Sequence, residues 1–342
     1  MKECGQVPCD EDESGMASRR APGRARVLVA GASGFIGGAI VAALARSGTV
    51  ERVVALCRNV AKAAAKLPGP DSGVDIHAWD MVDPVPDVGR VDAVIHAAGR
   101  GDPQSYARHP HLCMRETLLG CLNLLDFSVS AGVRDFVLVS SGEVYGNVAG
   151  TGRIREDEQG GVSPEQPRST YPVVKAACES LCLAAGRERG LSTRVARLCH
   201  VYGPGMSPDD PRIAAHFPVT AAAGRDIVLK SPGDQVRSYC YIADAVSGIL
   251  AILEKGVAGE VYNVADESTE MSIRQFAERT AAAAGVGVRF ETPAETESAA
   301  FNPMPRSVFA TDRLRALGWR PRTDFERGIR QTVAGFRRTM AG

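Results

Sequence analysis

The stretch "VLVAGASGFIGGAIVAALARSG", residues 27–48, constrains this chain more than any other. A short apolar run, Val27 to Ala30, breaks into glycines at Gly31, Gly34 and Gly37, and an apolar pattern of helical period follows over 35–47. Glycine is required where the backbone takes a conformation, or an approach to a neighbour, that a Cβ would forbid. At a strand-to-helix turn, three glycines permit a tight turn, contact between backbone N–H groups and a pyrophosphate at the helix start, and close packing of helix on strand. The spacing is G-x-x-G-x-x-G rather than the dinucleotide fingerprint G-x-G-x-x-G, so the reading depends on a strand before it and a helix after it.

The rest of the chain supplies that context. Strand-like runs at 52–56, 74–79, 91–96, 136–140 and 193–198 alternate with segments of helical period at 60–66, 111–131 and 171–189. Parallel strands need crossover helices, so this alternation predicts an α/β fold with a doubly wound parallel sheet. From about Gly203 onward, proline-rich loops such as "GPGMSPDDP" interrupt shorter elements: a strand at 227–229, a helix at 242–254 and "VYNVAD". We therefore expect a nucleotide-binding sheet domain over 25–200. A smaller C-terminal α/β lobe over 201–342 is expected to bind substrate, with some of its chain returning to the sheet domain. Residues 1–24, acidic and then arginine-rich with almost no large apolar side chains, read as a disordered tail.

Composition removes several function classes. Lys+Arg and Asp+Glu both number 40 in 342 residues, which leaves no basic field for general nucleic-acid binding. No apolar stretch approaches the roughly 18 to 20 residues of a membrane helix, and the N-terminus has no signal-peptide core, so no membrane partner and a cytoplasmic location are expected. The nine cysteines are scattered along the chain, with Cys4 and Cys9 a close pair near the N-terminus. Reduced thiols are expected and no metal site.

Two constellations carry chemistry. At the end of the second strand an acid would accept from the adenosine ribose hydroxyls, but here "VVALCRN" places Cys57 and then Arg58. Arg58 suits a 2′-phosphate, which puts NADP slightly ahead of NAD; as a solvated helix-start residue it would favour neither. Asp80, after the third strand, is placed to accept from the adenine amine or to start a loop. "HAAG" supplies Ala97, Ala98 and Gly99 at a strand's C-terminal end, where open α/β sheets bind ligands; His96 itself reads as a packed strand residue. The second constellation is "STYPVVK". Tyr171 and Lys175 stand four apart at a helix start and so share one face. An ammonium beside a phenol favours the phenolate, the base needed to take a proton from an alcohol during hydride transfer. Upstream, "VLVSSGEVYGN" ends a strand in serines, and Ser141 is placed to bond the reacting oxygen.

Taken together, "GASGFIG", "HAAG", "SSGEVYG", "YPVVK", "RSYCYIADAV" and "YNVAD", in this order, resemble the extended short-chain dehydrogenase/reductases. The likeness is to their nucleotide-sugar epimerase, dehydratase and decarboxylase branch, over about 26–338. The resemblance implies a Rossmann-type domain, a tightly held NAD or NADP, and a nucleoside-diphosphate sugar against the C-terminal lobe. It implies cofactor contacts from Gly31, Ser33, Gly34, Phe35, Ile36 and Gly37, from Met81 beside Asp80, and from Tyr171 and Lys175. Ser141, Tyr171 and Lys175 match the family's catalytic triad.

Glu143 matches a carboxylate of the dehydratase-like and UDP-glucuronate decarboxylase-like members. Once C4 is a ketone the C5 proton is acidified, and Glu143 is the base expected to remove it. Gly142 stands where 4,6-dehydratases carry an Asp, which argues against plain 4,6-dehydration. Arg212 and Arg237 are expected at the substrate diphosphate, since guanidinium bonds phosphate oxygens in bidentate fashion. His200 replaces the usual Asn before "YGP", Gly205 the decarboxylases' arginine, and Thr117 an Asn of the long helix. The expected activity is oxidation of a nucleotide sugar at C4, a step on the 4-keto sugar and return of the hydride. A simple C4 epimerase, a net NADPH-dependent reductase and a non-catalytic dinucleotide sensor are the alternatives. A homodimer is expected through helices 111–131 and 171–189, with Leu118, Leu122, Leu125, Val174, Cys178 and Leu181 as candidate contacts.

Overall fold

In the computed structural model, which describes residues 25–101, 103–148, 150, 152–166, 169–291 and 304–341, the glycine turn lies between a strand and a helix. The expected tail 1–24, with Cys4 and Cys9, lies outside the described residues. The first half runs β1 (Ala25–Ala30), α1 (Phe35–Ser47), β2 (Val50–Cys57), α2 (Val60–Ala64), β3 (Val74–Ala78), β4 (Ala93–His96), α3 (Pro103–Arg108), α4 (Pro110–Ser130), β5 (Asp135–Ser141), α5 (Thr170–Arg189) and β6 (Ser192–Leu198). The second half runs β7 (His200–Tyr202), α6 (Ile213–Ala222), β8 (Ile227–Leu229), β9 (Val236–Tyr241), α7 (Ile242–Lys255), β10 (Val261–Val264), β11 (Asp266–Ser272), α8 (Ile273–Ala284), β12 (Val288–Phe290) and β13 (Arg306–Ser307). Helices Asp312–Ala316 and Phe325–Ala341 complete it.

Seven parallel strands form the central sheet in the order β10-β6-β5-β4-β1-β2-β3. This is the expected Rossmann-type sheet. Val27–Ala30 of β1, Val53–Leu56 of β2 and Phe136–Val139 of β5 are buried and apolar on both faces, as covered parallel strands must be. On β5, Val137 and Val139 face the layer of α1 and α7, while Phe136 and Leu138 face the layer of α4 and α5. The chain lays β1, β2 and β3 outward in one direction and then returns to place β4 on the other side of β1. The C-terminal ends of β1 and β4 therefore border the crevice where such sheets take their ligands.

The second half leaves the sheet and comes back. β9 is the hub of a small sheet, antiparallel to β11 and parallel to β7 and β13. Phe276 of α8 stacks on Tyr239 at 4.4 Å and meets Phe325 edge-on at 5.5 Å, aromatic packing that is continuous with the core on the α1 and α7 side of the central sheet. α7 then packs under the central sheet and β10 pairs with β6. Among the described residues no helix is long and apolar enough to cross a membrane. Nor do three or more His, Cys, Asp or Glu cluster as metal ligands would.

Candidate active site

The glycine turn is held from both sides. The N–H groups of Gly31 and Ala32 donate to Leu56 O at 3.1 and 3.0 Å, and Gly34 N donates to Gly31 O at 2.9 Å. Gly31 has φ +83°, and a Cβ there would stand 2.6 Å from Ala97 O; one on Gly37 would stand 2.2 Å from Gly31 O. Side chains are excluded at both positions by backbone. α1 starts without a side-chain cap and without an acid in its first turn, so its leading N–H groups and the positive end of its dipole are open to an anion. These features fit the diphosphate of a dinucleotide.

That helix start opens on a cleft of about 440 Å³. Gly34, Phe35, Ile36 and Gly37 line one end, with Ala97, Ala98 and Gly99 from the end of β4 beside them. Ser141, Gly142 and Glu143 come from the end of β5, and Tyr171 and Lys175 from α5. His200 and Arg212 line the side contributed by the second half. Gly31 and Ser33 form the turn behind the cleft wall. Arg58 and Asp80 lie elsewhere, in a second recess of about 280 Å³ shared with Trp79 and Asp83. Met81 lines neither cavity; it is buried and packs where a Cβ on Gly120 would stand 2.9 Å from it.

Lys175 is buried, and its ammonium donates to Val139 O at 2.8 Å, which fixes the Tyr171–Lys175 face of α5 to the end of β5. The Tyr171 ring meets Tyr106 edge-on at 5.1 Å, and the Tyr106 hydroxyl shares a hydrogen bond of 3.2 Å with Thr117. Ser141 Oγ accepts from Glu143 N at 3.3 Å, which leaves its own proton free to donate into the cleft. His96 is 2% exposed behind Lys175; burial first, and then the Lys175 charge, push its imidazole down to about 3, so it is neutral. Burial above all, with the charges of Arg237 and then Arg212 adding to it, likewise pushes His200 down to about 4, and its Nδ1 has no hydrogen-bond partner among the described residues. Arg212 pairs with Asp210 at 2.6 Å at the rim. Arg237 is not on the cleft wall. It is buried beyond His200 and donates to Val236 O and Met304 O at 2.8 and 2.9 Å.

Tyr106, Cys199, Ser307 and Phe309 also line the cleft, and sequence reasoning did not place them there; Thr117, singled out in the long helix, lines it too. Phe309 lies so close over Gly142 that a Cβ on that glycine would stand 2.2 Å from its ring. No local pattern marks Ser307 or Phe309; the hydroxyl partnership of Tyr106 and Thr117 joins two helices and has no spacing to betray it.

Residues 27–265 match the family model described as the NAD dependent epimerase/dehydratase family. The chain belongs to that family. A UDP-glucuronic acid decarboxylase of Xenopus tropicalis is 28% identical over 317 residues, 93% of this chain and 73% of that protein. Among solved structures, a UDP-glucose 4-epimerase of Thermus thermophilus in complex with NAD aligns with TM-score 0.76 at 30% identity, covering 91% of this chain and 99% of that one. A dTDP-glucose 4,6-dehydratase of Streptomyces venezuelae with NAD bound aligns with TM-score 0.77 at 27% identity, covering 92% and 98%. The chain is thus an NAD-dependent nucleotide-sugar epimerase/dehydratase family enzyme that uses a nicotinamide dinucleotide.

Proposed function

We propose that this enzyme oxidises a nucleoside-diphosphate sugar at C4, removes the C5 proton of the resulting ketone with Glu143, and then returns the hydride, so that no net redox change occurs. The convergence of Ser141, Glu143, Tyr171 and Lys175 on one cleft beside the glycine turn carries this reading. Bound nicotinamide supplies the hydride acceptor and donor. Tyr171 takes the proton of the C4 hydroxyl, with the Lys175 ammonium favouring its phenolate. Ser141 donates to the C4 oxygen and orients it. Glu143, two residues along the same turn, faces the neighbouring carbon and accepts its proton, leading to epimerisation or elimination; for a decarboxylation-type outcome the C5–C6 bond breaks instead, CO2 leaves with its electron pair held as the C4–C5 enolate, and the same position returns a proton to C5. Gly142, between them, carries no acid and is covered by Phe309. The α1 start with Gly31, Ser33, Gly34, Phe35, Ile36 and Gly37 holds the cofactor diphosphate, and Ala97, Ala98 and Gly99 allow its close approach. Arg58 and Asp80 hold the adenosine end, with Met81 packing behind them, and Arg58 favours NADP. Residues 25–200 thus serve mainly the cofactor and 201–342 mainly the substrate. Neutral His200 bonds the substrate and Arg212 its diphosphate, with Arg237 adding positive potential from behind.

Incubation in deuterium oxide with UDP-glucuronate, UDP-glucose and dTDP-glucose tests the assignment. Deuterium is expected to replace the original C5 hydrogen of product or recovered substrate for the true substrate; a deuteron added beside that hydrogen after loss of CO2 from UDP-glucuronate does not count as proton removal. Glu143→Gln should block that exchange while C4 oxidation, seen as reduced-nicotinamide absorbance, persists; Tyr171→Phe should abolish both while still binding cofactor. No deuterium at C5 in the wild type together with normal turnover of Glu143→Gln would make Glu143 structural and the enzyme a simple C4 epimerase or reductase. The protein is further inferred to be a homodimer through α4 and α5. Leu125, Val174 and Cys178 are spent inside the protomer, whereas Leu112 and Leu122 remain 42% and 38% exposed on α4.

A further inference from the structure

Glu143 sits on a four-residue 3-10 turn, Gly142–Tyr145, that has little of its own to hold it still. Its internal bonds are Glu143 N to Ser141 Oγ and Gly146 N to Glu143 O at 3.0 Å, and it is bracketed by Gly142 and by Gly146 at φ +59°. The residue that closes the turn, Tyr145, is of a different character. It is 2% exposed and lies outside the cleft lining. Its hydroxyl donates to Asn263 Oδ1 at 2.7 Å, and burial pushes its phenol up to about 12, so the donor proton stays in place. Asn263, on β10, is itself fixed. Its Nδ2 donates to Ile154 O and Ala310 O, both at 3.0 Å, and its N–H donates to Glu156 Oε1 at 2.9 Å.

The Tyr145 ring is gripped as firmly as its hydroxyl. The Arg197 guanidinium lies 4.6 Å from the ring centroid, and the Phe309 ring packs on it at 5.6 Å. Arg197 is in turn paired with Glu179 through Nη2 to Oε2 at 2.7 Å and Nε to both carboxylate oxygens at 3.1 Å. Glu179 is one helical turn beyond Lys175 and two beyond Tyr171, on the same stripe of α5. It also accepts from the Ser140 hydroxyl at 2.5 Å, immediately before Ser141. A buried ion pair is a weak device for stability. A buried polar network with its members satisfied instead specifies one geometry. This network joins the turn bearing Glu143, the strand end bearing Ser141 and the helix face bearing Tyr171 and Lys175.

We propose that Tyr145 is a positioning residue for Glu143, the anchor of its turn, and that the Arg197–Glu179 pair ties this anchor to the Tyr171–Lys175 face of α5. C4 oxidation and C5 proton removal are thereby kept in register on one bound sugar. The inference rests on the reading of Glu143 as the C5 base. Its signature is a ratio: loss of the anchor slows proton removal at C5 more than oxidation at C4, whereas simple destabilisation slows both alike. Tyr145→Phe removes one hydroxyl and leaves the ring. The cofactor-loaded variant and wild type are mixed in deuterium oxide with UDP-glucuronate, UDP-glucose or dTDP-glucose. The rate of nicotinamide reduction is then compared with the rate of C5 exchange, counted as loss of the original C5 hydrogen so that a deuteron added at C5 after loss of CO2 is not scored. The ratio of C5 exchange to C4 oxidation is expected to fall roughly ten- to a hundred-fold, the cost of misplacing a reacting group by about 1 Å. Arg197→Lys keeps the charge opposite Glu179 but loses the planar stack on Tyr145, and should lower the same ratio; it carries the test if Tyr145→Phe does not fold. An unchanged ratio, with both rates reduced together, overturns the positioning role alone. A wild type that reduces its nicotinamide with none of the three sugars, or does so without C5 exchange, overturns the reading of the cleft and this inference with it.

Discussion

Gly37→Ala should weaken dinucleotide binding more than its single methyl suggests. The new Cβ would stand 2.2 Å from Gly31 O and 2.7 Å from its carbonyl carbon, against an ordinary C···O contact of about 3.3 Å. The obstacle is main chain on both sides, so nothing can swing away, and the start of α1 must part from the β1 turn by about 1 Å. Overpacking of this kind costs about 1–3 kcal/mol. The same displacement carries the leading N–H groups of α1 off the diphosphate. Losing one charge-assisted hydrogen bond costs about 1.5–3 kcal/mol, which is roughly a 10- to 100-fold loss of affinity. Gly38→Ala is the control. Its Cβ would lie 3.2 Å from Ala32 O and 3.7 Å from a Leu67 methyl, a strain of a few tenths of an ångström offset by the helix propensity of alanine, about 1 kcal/mol better than glycine. Thermal melting of the apo-proteins and calorimetric titration with NAD and with NADP measure both effects. Equal affinity of the Gly37→Ala and Gly38→Ala proteins for the dinucleotide would refute the claim that this turn is its cradle.

Arg58→Ala should lower affinity for NADP about tenfold while leaving NAD within about twofold; equal preference before and after the change rules Arg58 out as the selector. His96 and His200 are neutral in the folded protein down to about pH 3 and 4, whereas in the unfolded chain they take up a proton near 6.5. Their contribution to stability is therefore present above about pH 6.5 and is lost as pH falls below it, by up to about 1.4 kcal/mol per pH unit for each histidine. Urea unfolding of His96→Leu between pH 7 and pH 4.5 should show a shallower loss than wild type, and an equal slope would contradict the burial of a neutral imidazole. Sedimentation at micromolar concentration should give a dimer that Leu122→Arg converts to monomer; a wild-type monomer refutes the α4–α5 interface.

The order of strands and helices was legible because parallel strands and their crossover helices differ in period, and because glycines punctuate the first turn. Tyr171 and Lys175 were legible as a pair for the same reason: four residues on a helix fix their adjacency. Boundaries shifted slightly. β4 begins at Ala93 rather than 91, because Asp92 turns its carboxylate to Arg26 N at 2.9 Å. The short helix α3, which brings Tyr106 to the cleft, carried no periodic signal in its six residues. Side-chain direction was the least legible property. Arg237 was expected at the diphosphate, yet β9 directs it toward the carbonyls of Val236 and Met304. Phe309 reaches Gly142 from more than 160 positions away, a contact that depends on how the small sheet is set against the large one rather than on any pattern along the chain.

The return of β10 to the central sheet bears on how this enzyme can be dismantled. Val195 N bonds Glu260 O and Cys199 N bonds Val264 O, so the outer edge of β6 is finished by residues that follow the whole lobe sheet hub in sequence. A fragment ending at residue 200 would present that edge bare, an invitation to pair with other chains. It would also lack α7 beneath the sheet and Asn263 beside Tyr145. The two halves are therefore not interchangeable modules. A recombinant that exchanged the second half for a relative's would inherit a new sheet edge and a new partner for the Tyr145 hydroxyl along with any new sugar preference.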